Sequence, residues 1–313
     1  VKVLFWGTPA FALPALLSLA EEGHDVVGVV TQPDRPAGRG RALSVSPVKE
    51  EALTMGVPIL QPERARGDEF IASIRALEPD ISVVVAFGQI LKPEVLAVPR
   101  LGSINIHASL LPELRGAAPI QWAVARGHET TGVTIMRMEA GLDSGPMILR
   151  VEEPIGPDES ASELGVRLAE IGAEALVETL ALMEAGSATE TVQDHDRATY
   201  APKVDRETAR VDWTLPAEEV ARLIRGMDDV PGAWSPLGAR CPVKLYRSQV
   251  VVDASGEPGT VLAADPQGGV LVACGSGAVR LGEVQPQGKR RMGAGEWVRG
   301  RGVAAGDRFG VDA

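Results

Sequence analysis

Residues 81–86 read Ile-Ser-Val-Val-Val-Ala, an apolar run with no polar alternation. It is far too short to cross a bilayer and long enough for one strand, so both of its faces must be buried. A strand covered on both sides belongs in a sheet flanked by helices. The neighbouring pattern agrees. Residues 2–6 (KVLFW) read as a strand, 11–22 as an amphipathic helix, and 25–31 (DVVGVVT), 103–107 and 133–138 as further strands. Strand–helix alternation of this kind predicts an α/β fold with a doubly wound, mostly parallel, Rossmann-like sheet. Ligands of such sheets lie in the crevice beyond the carboxyl ends of the strands.

A chain of 313 residues exceeds one ordinary core, and the pattern does change along it. Residues 160–184 carry a long helical repeat, and a polar stretch over 186–196 breaks the regularity. After Trp213 comes one short helix (217–225), then short β segments cut by glycine and proline at 243–246, 249–252, 259–263, 270–273 and 279–284. About five such strands predict a small barrel, with an OB-like barrel as the expected form. The expected organisation is a first domain over 1–188, a linker over 189–206 and a second domain over 207–313.

Several function classes drop out. No run of about 18 apolar residues exists, so no membrane span is expected. The amino terminus reads as a core strand rather than a signal peptide, and a cytoplasmic location is expected. Cys241 and Cys274 alone cannot build a disulfide framework or a zinc site, and no metal is expected. The net charge of −11 opposes general nucleic-acid binding. It is unevenly placed: residues 1–205 hold 17 basic against 29 acidic side chains, residues 206–313 hold 14 against 13. An RNA partner would therefore be met by local basic patches.

Asn105 and His107 stand two apart on a predicted strand, so they share one face, while Ile104 and Ile106 face the other way. Leu110-Leu111-Pro112 then ends the strand, which sets an amide donor and an imidazole at its carboxyl end. Acyl transfer to an amine needs a donor for the oxygen of the tetrahedral intermediate and a group to handle the departing proton. Asn105 suits the first task; imidazole, which exchanges protons near neutral pH, suits either. Asp143, in the loop Gly141-Leu142-Asp143-Ser144-Gly145, follows another strand and could turn back toward His107. On spacing alone, most Asn-x-His pairs are incidental, and aspartate beside glycine usually caps its own turn.

The longer strings are more specific. Residues 105–112 (NIHASLLP), Arg115-Gly116-Ala117-Ala118-Pro119-Ile120-Gln121, residues 32–40 (QPDRPAGRG) and residues 131–136 (TGVTIM) resemble the methionyl-tRNA formyltransferases. The resemblance spans essentially the whole chain. The Asn-x-His motif with Ser-Leu-Leu-Pro is shared by folate-dependent formyltransferases at large, so it specifies chemistry and leaves the acceptor open.

The resemblance implies Asn105, His107 and Asp143 as the catalytic trio, and Ser109, Leu110, Leu111 and Pro112 as the folate-contacting segment. Ala108 stands where the family more often has glycine. Phe87, Gly88 and Leu91, at the end of a central strand, are expected to line the pterin pocket; packing of Phe87 and Leu91 in the core is the competing reading. Arg35, Arg39 and Arg41 lie in the loop that in the family enters the tRNA acceptor arm. Lys289, Arg290 and Arg291 form a candidate backbone-tracking patch, or simply a solvated face.

The implied reaction moves the formyl group of 10-formyltetrahydrofolate to the α-amine of methionine on initiator tRNA, catalysed by a monomer. Two alternatives use the same trio: formyl transfer to a small amine, and hydrolysis of the formylfolate itself. A non-catalytic RNA-binding protein is a third. His24, His128 and His195 show no ligand spacing and are expected at the surface or in turns. Trp213 and Trp234 are expected to anchor the second core.

Overall fold

The computed structural model describes residues 1–37, 42–238 and 240–310. The chain forms two compact units. The first comprises Val1–Ala117, Thr130–Pro154 and Gly165–Ala201, and the second Ala118–Glu129, Ile155–Leu164 and Pro202–Ala313.

In the first unit the chain runs through strands β1 (Lys2–Gly7), β2 (Asp25–Val30), β3 (Arg35–Ala37), β4 (Ala42–Ser44), β5 (Ile59–Leu60), β6 (Ile81–Val85), β7 (Ser103–His107), β8 (Thr130–Arg137) and β9 (Met147–Pro154). Helices α1 (Leu13–Glu21), α2 (Pro47–Met55), α3 (Asp68–Ala76) and α4 (Pro93–Leu96) join the earlier strands. Seven strands pair in the order β5-β2-β1-β6-β7-β8-β9, with β3 and β4 forming a separate hairpin. Pairing is parallel from β5 through β7 and antiparallel for β8 and β9. Strands β6 and β7 are buried along their whole length, as a sheet covered on both faces requires, although β7 carries Ser103, Asn105 and His107 on one face. Strand order reverses between β1 and β6, which opens a crevice at their carboxyl ends. Strand β9 has no counterpart in the sequence expectation. It is an outer strand bearing Arg150, Glu152 and Glu153, charges that suit an edge and mask its β pattern.

Local sequence explains the helices. At α2, the Ser46 hydroxyl accepts from the Lys49 N–H at 3.2 Å, Pro47 occupies the first turn, and Gly56 closes the end at φ 68°. Helix α6 (Ala161–Glu184) lies against the sheet at Gly172, where an added Cβ would approach Ile106 Cγ2 to 2.9 Å. The Ile104/Ile106 face of β7 is thus the packed one. Trp6 anchors the opposite layer, edge-on to Phe87 at 5.2 Å and Phe70 at 5.9 Å, with its indole N–H donated to Ser82 Oγ.

The second unit contains helices α5 (Pro119–Ala125), α7 (Ala217–Gly226) and α8 (Ala294–Arg299) and a six-stranded antiparallel sheet. Its strands are β10 (Trp234–Leu237), β11 (Arg240–Val251), β12 (Val261–Asp265), β13 (Gly269–Ala273), β14 (Ala278–Pro286) and β15 (Met292–Gly293). Helix α5 joins this unit because α7 accommodates it at Gly226, where a Cβ would lie 2.7 Å from Ala125 Cβ. The two strands expected over 243–246 and 249–252 are one strand, β11, bent at Arg247. Arg247 has φ 53°, and Gly282 opposite it gives the bend room. Bends of this kind curl a sheet toward closure. Bridges from Arg308 to Thr260 and from Phe309 to Leu237 join the β12 and β10 ends, completing the expected barrel-like form. Phe309 packs on Trp213 at 5.4 Å inside, and Trp213 donates to Ser235 Oγ. Trp234 is half-buried, with the Arg206 guanidinium 4.5 Å from its ring. Among the described residues no helix is long and apolar enough to cross a membrane.

Candidate functional site

The carboxyl end of β7 gathers polar side chains in an otherwise apolar layer. Asn105 pairs with Val84 of β6 and Met136 of β8, and His107 with Thr134 of β8. Asn105 is only 9% exposed, and among the described residues its amide makes no hydrogen bond to protein, yet its polar atoms are not fully buried and remain within reach of solvent. A nearly buried amide is normally satisfied within the protein. This one is left to a ligand or solvent.

His107 is buried, with Nε2 3.0 Å from the Leu114 carbonyl oxygen. A carbonyl only accepts, so Nε2 carries the hydrogen. Nδ1 faces Asp143 Oδ2 at 3.8 Å, too long for a hydrogen bond yet short enough for one water or amine nitrogen to reach both.

The turn after β7 is held by Thr134. Its hydroxyl donates to the Ser109 carbonyl at 2.7 Å and accepts from the Leu111 N–H at 3.2 Å. Ser109 Oγ donates to the Glu113 carbonyl at 2.6 Å. Leu111 sits in an apolar cluster with Met136 and Met147; Pro112 is buried and Leu110 half-buried. The hydroxyl of Ser109 and the side chain of Leu111 therefore shape the turn, which leaves its backbone and Leu110 as the groups nearest solvent.

Asp143 sits at φ 48° in its glycine-flanked loop, and its Oδ2 accepts from the Gly116 N–H at 2.8 Å. Gln193 holds the same loop: its Nε2 donates to the carbonyls of Asp143 (2.9 Å) and Gly145 (2.7 Å). Its Oε1 accepts from Arg115 Nε (3.0 Å) and Nη2 (2.6 Å). Arg115 Nη2 also donates to His195 Nδ1 at 3.0 Å. Gln193 falls in the expected linker over 189–206, and nothing in its local sequence marks it. Arg115 is visible in sequence only inside a motif, and His195, exposed in a turn as expected, also accepts from the buried Arg115.

Elsewhere the candidate residues are more dispersed in role. Phe87 and Leu91 belong to the core cluster around Trp6, and the Phe87 carbonyl is engaged by Gln32 Nε2 and Thr8 Oγ1, while Gly88 is exposed at φ 86°. Arg35 is exposed, 3.6 Å from Glu63. Arg39 and Arg41 lie outside the described residues. Beside them Asp34 is held below the usual carboxylate range by hydrogen bonds from Lys49 and Gln61.

Lys289 is exposed. Arg290, 76% exposed, pairs with Glu296 at 2.9 Å. Arg291 is tied to Glu283 (2.6 Å), Asp229 (2.8 Å) and Asp228 (3.4 Å) and lies 3.9 Å from the Tyr246 ring centre. Burial and the neighbouring Asp228 push the Asp229 carboxyl up, against the pull of Arg291. A cavity of about 490 Å³ in the second unit is lined by Arg222, Arg225, Gln249, Asp158 and Glu218 among others, and contains none of the His107 cluster.

Comparison with known proteins converges on one family. Residues 1–180 match the formyl transferase family and 203–302 the formyl transferase C-terminal domain. A methionyl-tRNA formyltransferase of Symbiobacterium thermophilum is 49% identical over 99% of this chain and 95% of its own length. That of Bacillus subtilis is 45% identical over 99% and 98%. A crystal structure of HypX from Aquifex aeolicus in complex with tetrahydrofolic acid superposes with a TM-score of 0.67. It is 20% identical over 94% of this chain and 46% of that one, a likeness of fold. With identity near one-half sustained along both units, the chain belongs to the methionyl-tRNA formyltransferase family.

Proposed function

We propose that this protein transfers the formyl group of 10-formyltetrahydrofolate to the α-amine of methionine carried by initiator tRNA, acting as a cytoplasmic monomer. The observation that carries the chemistry is the partnerless Asn105 amide beside His107 at the end of a buried strand. A donor held in place by the sheet, with no protein partner to give up, needs little reorganisation when charge develops on the formyl oxygen. The acceptor follows from the full-length relatives, each named for methionyl-tRNA.

In the reaction the methionine nitrogen attacks the formyl carbon, and the carbonyl electron pair moves onto oxygen, held by the Asn105 amide and by the Nδ1–H of His107 in its imidazolium form, whose Nε2–H stays on the Leu114 carbonyl. The nitrogen gives its proton to the Asp143 carboxylate, directly or through one water placed between Oδ2 and His107 Nδ1. The carbon–N10 bond of the folate then breaks and N10 takes a proton, leaving formylmethionyl-tRNA and tetrahydrofolate. The backbone of the turn 109–112, with Leu110, contacts the folate. Phe87 and Leu91 shape the pterin side from the core, and Gly88 offers its exposed backbone. A fold neighbour solved with tetrahydrofolic acid supports a folate in this fold. Arg35, Arg39 and Arg41 meet phosphates of the acceptor arm. Lys289 and Arg290 meet the tRNA backbone, while Arg291, bound by three carboxylates, chiefly orders its own turn.

Radioformyl transfer from 10-formyltetrahydrofolate tests the reading with three acceptors: methionylated initiator tRNA, small amines, and none. Rapid transfer to the tRNA alone is expected. Equal transfer to an amino sugar would reassign the acceptor, and formate release without acceptor would make the protein a hydrolase.

A further inference from the structure

The loop that carries Asp143 cannot be held by its own sequence. Gly141 and Gly145 flank it, Gly141 has φ 142°, and Asp143 itself stands in the left-handed region at φ 48°. A non-glycine residue there is strained relative to ordinary backbone and needs the surrounding structure to hold it. Two hydrogen bonds from a buried donor act against that strain. Gln193 Nε2 supplies two, to the carbonyls of Asp143 and Gly145.

Gln193 is 3% exposed, and its amide makes four hydrogen bonds, two given and two received. A side-chain amide has two N–H donors and one oxygen with two lone pairs, so this set saturates it. Its orientation follows from its partners. A guanidinium only donates, so the oxygen must face Arg115; backbone carbonyls only accept, so the nitrogen must face the loop. Arg115, 4% exposed, fixes the other end. Its N–H donates to the Thr199 carbonyl at 2.9 Å and its carbonyl accepts from the Ala201 N–H at 2.7 Å.

The next residue, Gly116, donates its N–H to Asp143 Oδ2. The circuit Arg115–Gln193–Asp143–Gly116 therefore closes on itself through one peptide bond. One end of it grips the loop backbone, and the other grips the carboxylate that faces His107.

We propose that Gln193 is a positioning residue for formyl transfer, holding the Asp143 loop so that its carboxylate faces His107 Nδ1. The proposal rests on the assignment of Asp143 to the reaction. It goes beyond packing, because the two N–H groups of Gln193 act on the loop and its oxygen acts on Arg115. The two functions separate in Gln193→Glu, which keeps length and an acceptor for Arg115 and loses the amide donors. Gln193→Met keeps similar bulk and loses all four bonds.

The experiment measures kcat and both KM values for formyl transfer to methionylated initiator tRNA, with thermal midpoints, for full-length Q193E, Q193M, D143N and Q193E/D143N. Q193E is expected to lower kcat about tenfold with both KM values within about twofold, since orientation and not binding is lost. Q193M should lose as much kcat with a lower thermal midpoint, and it carries the kinetic test if Q193E is poorly folded. The double variant should fall within about twofold of D143N alone, the non-additivity of residues acting through one group.

Wild-type kcat in folded Q193E beside an impaired D143N overturns the proposal and leaves the role of Asp143 standing. So do losses that multiply in the double variant, or a change confined to KM. Wild-type kcat in D143N overturns both the role of Asp143 and the proposal built on it.

Discussion

The Asp143 loop and the turn carrying Lys289, Arg290 and Arg291 are both polar segments beside glycines, and they treat charge in opposite ways. Around Asp143 the polar groups largely satisfy one another, while among the described residues the Asn105 amide has no protein partner and His107 Nδ1 stands 3.8 Å from Asp143 Oδ2. Around Arg291 the charges sit near the surface and meet carboxylates from nearby strands and turns. A site capable of chemistry is thus marked by an unmet hydrogen-bonding capacity that a ligand can still reach, not by density of charge. A basic run becomes a binding surface only to the extent that its own fold leaves it unpaired.

The sharpest way to break this contrast is at the unmet amide. Asn105→Ala and His107→Ala should each lower kcat by roughly 10²–10³, the usual cost of an oxyanion donor, measured by formyl transfer. Asn105→Ala should leave the thermal midpoint nearly unchanged, because no protein partner loses a bond. His107→Ala strands the Leu114 carbonyl and should lower it by a few degrees as well. Near-normal turnover in both would remove the site from β7.

Next in size is Gly116→Ala. Gly116 has φ 117°, and an added Cβ would lie 2.7 Å from the Ala201 carbonyl oxygen. Strain of about 1–3 kcal/mol should displace the N–H that binds Asp143, with turnover falling about tenfold along with stability. Chemical denaturation and kcat together check it. Full activity in a destabilised variant would show that Asp143 does not depend on this N–H.

How much of this was legible follows the same division. The sheet could be read because β1, β2 and β6 are short, mainly apolar strands whose burial is imposed on their composition, and β7 because it alternates. Strand β9 could not, since an edge tolerates charge. The bend at Arg247 divided one strand into two apparent ones, because a left-handed residue interrupts periodicity without ending pairing. Within the site, Asn105 and His107 were legible from strand alternation, and Asp143 from its loop and motif. Gln193 was not: it acts across 50 residues of chain on backbone carbonyls, an interaction that leaves no local pattern. Arg291 looked like Lys289 and Arg290 in sequence, and only the arrival of Asp228, Asp229 and Glu283 sets it apart.

Arg291→Ala probes that difference directly. Loss of its ion pairs and of its stacking on Tyr246 should cost about 1–2 kcal/mol at neutral pH. The cost should depend on pH in a defined sense. Asp229 is an acid whose carboxyl is pushed up in the folded protein, by burial first and by Asp228 second, with Arg291 opposing both. Such a group destabilises the fold above its folded pKa, and the penalty lifts as pH falls through that value toward the unfolded one. Without Arg291 the penalty grows, so the gap from wild type should be widest near pH 7 and narrow on acidification into the carboxylate range. A gap that widened on acidification would mean that Arg291 does not serve to neutralise this cluster.

The smallest effect is expected where the charge is least engaged. The Arg290–Glu296 pair is largely exposed, and such pairs contribute about 0–1 kcal/mol, so Lys289→Ala with Arg290→Ala should hardly move the thermal midpoint. If these two side chains meet tRNA phosphates, KM for tRNA should rise a few-fold. The slope of log affinity against log salt should also flatten by about 1–2, in proportion to the contacts removed. Arg291→Ala, by contrast, should lower stability and leave that slope alone. An unchanged salt slope in the double variant would class all three residues together as a solvated face. The tRNA backbone contact would then have to be sought among the other arginines of the second unit.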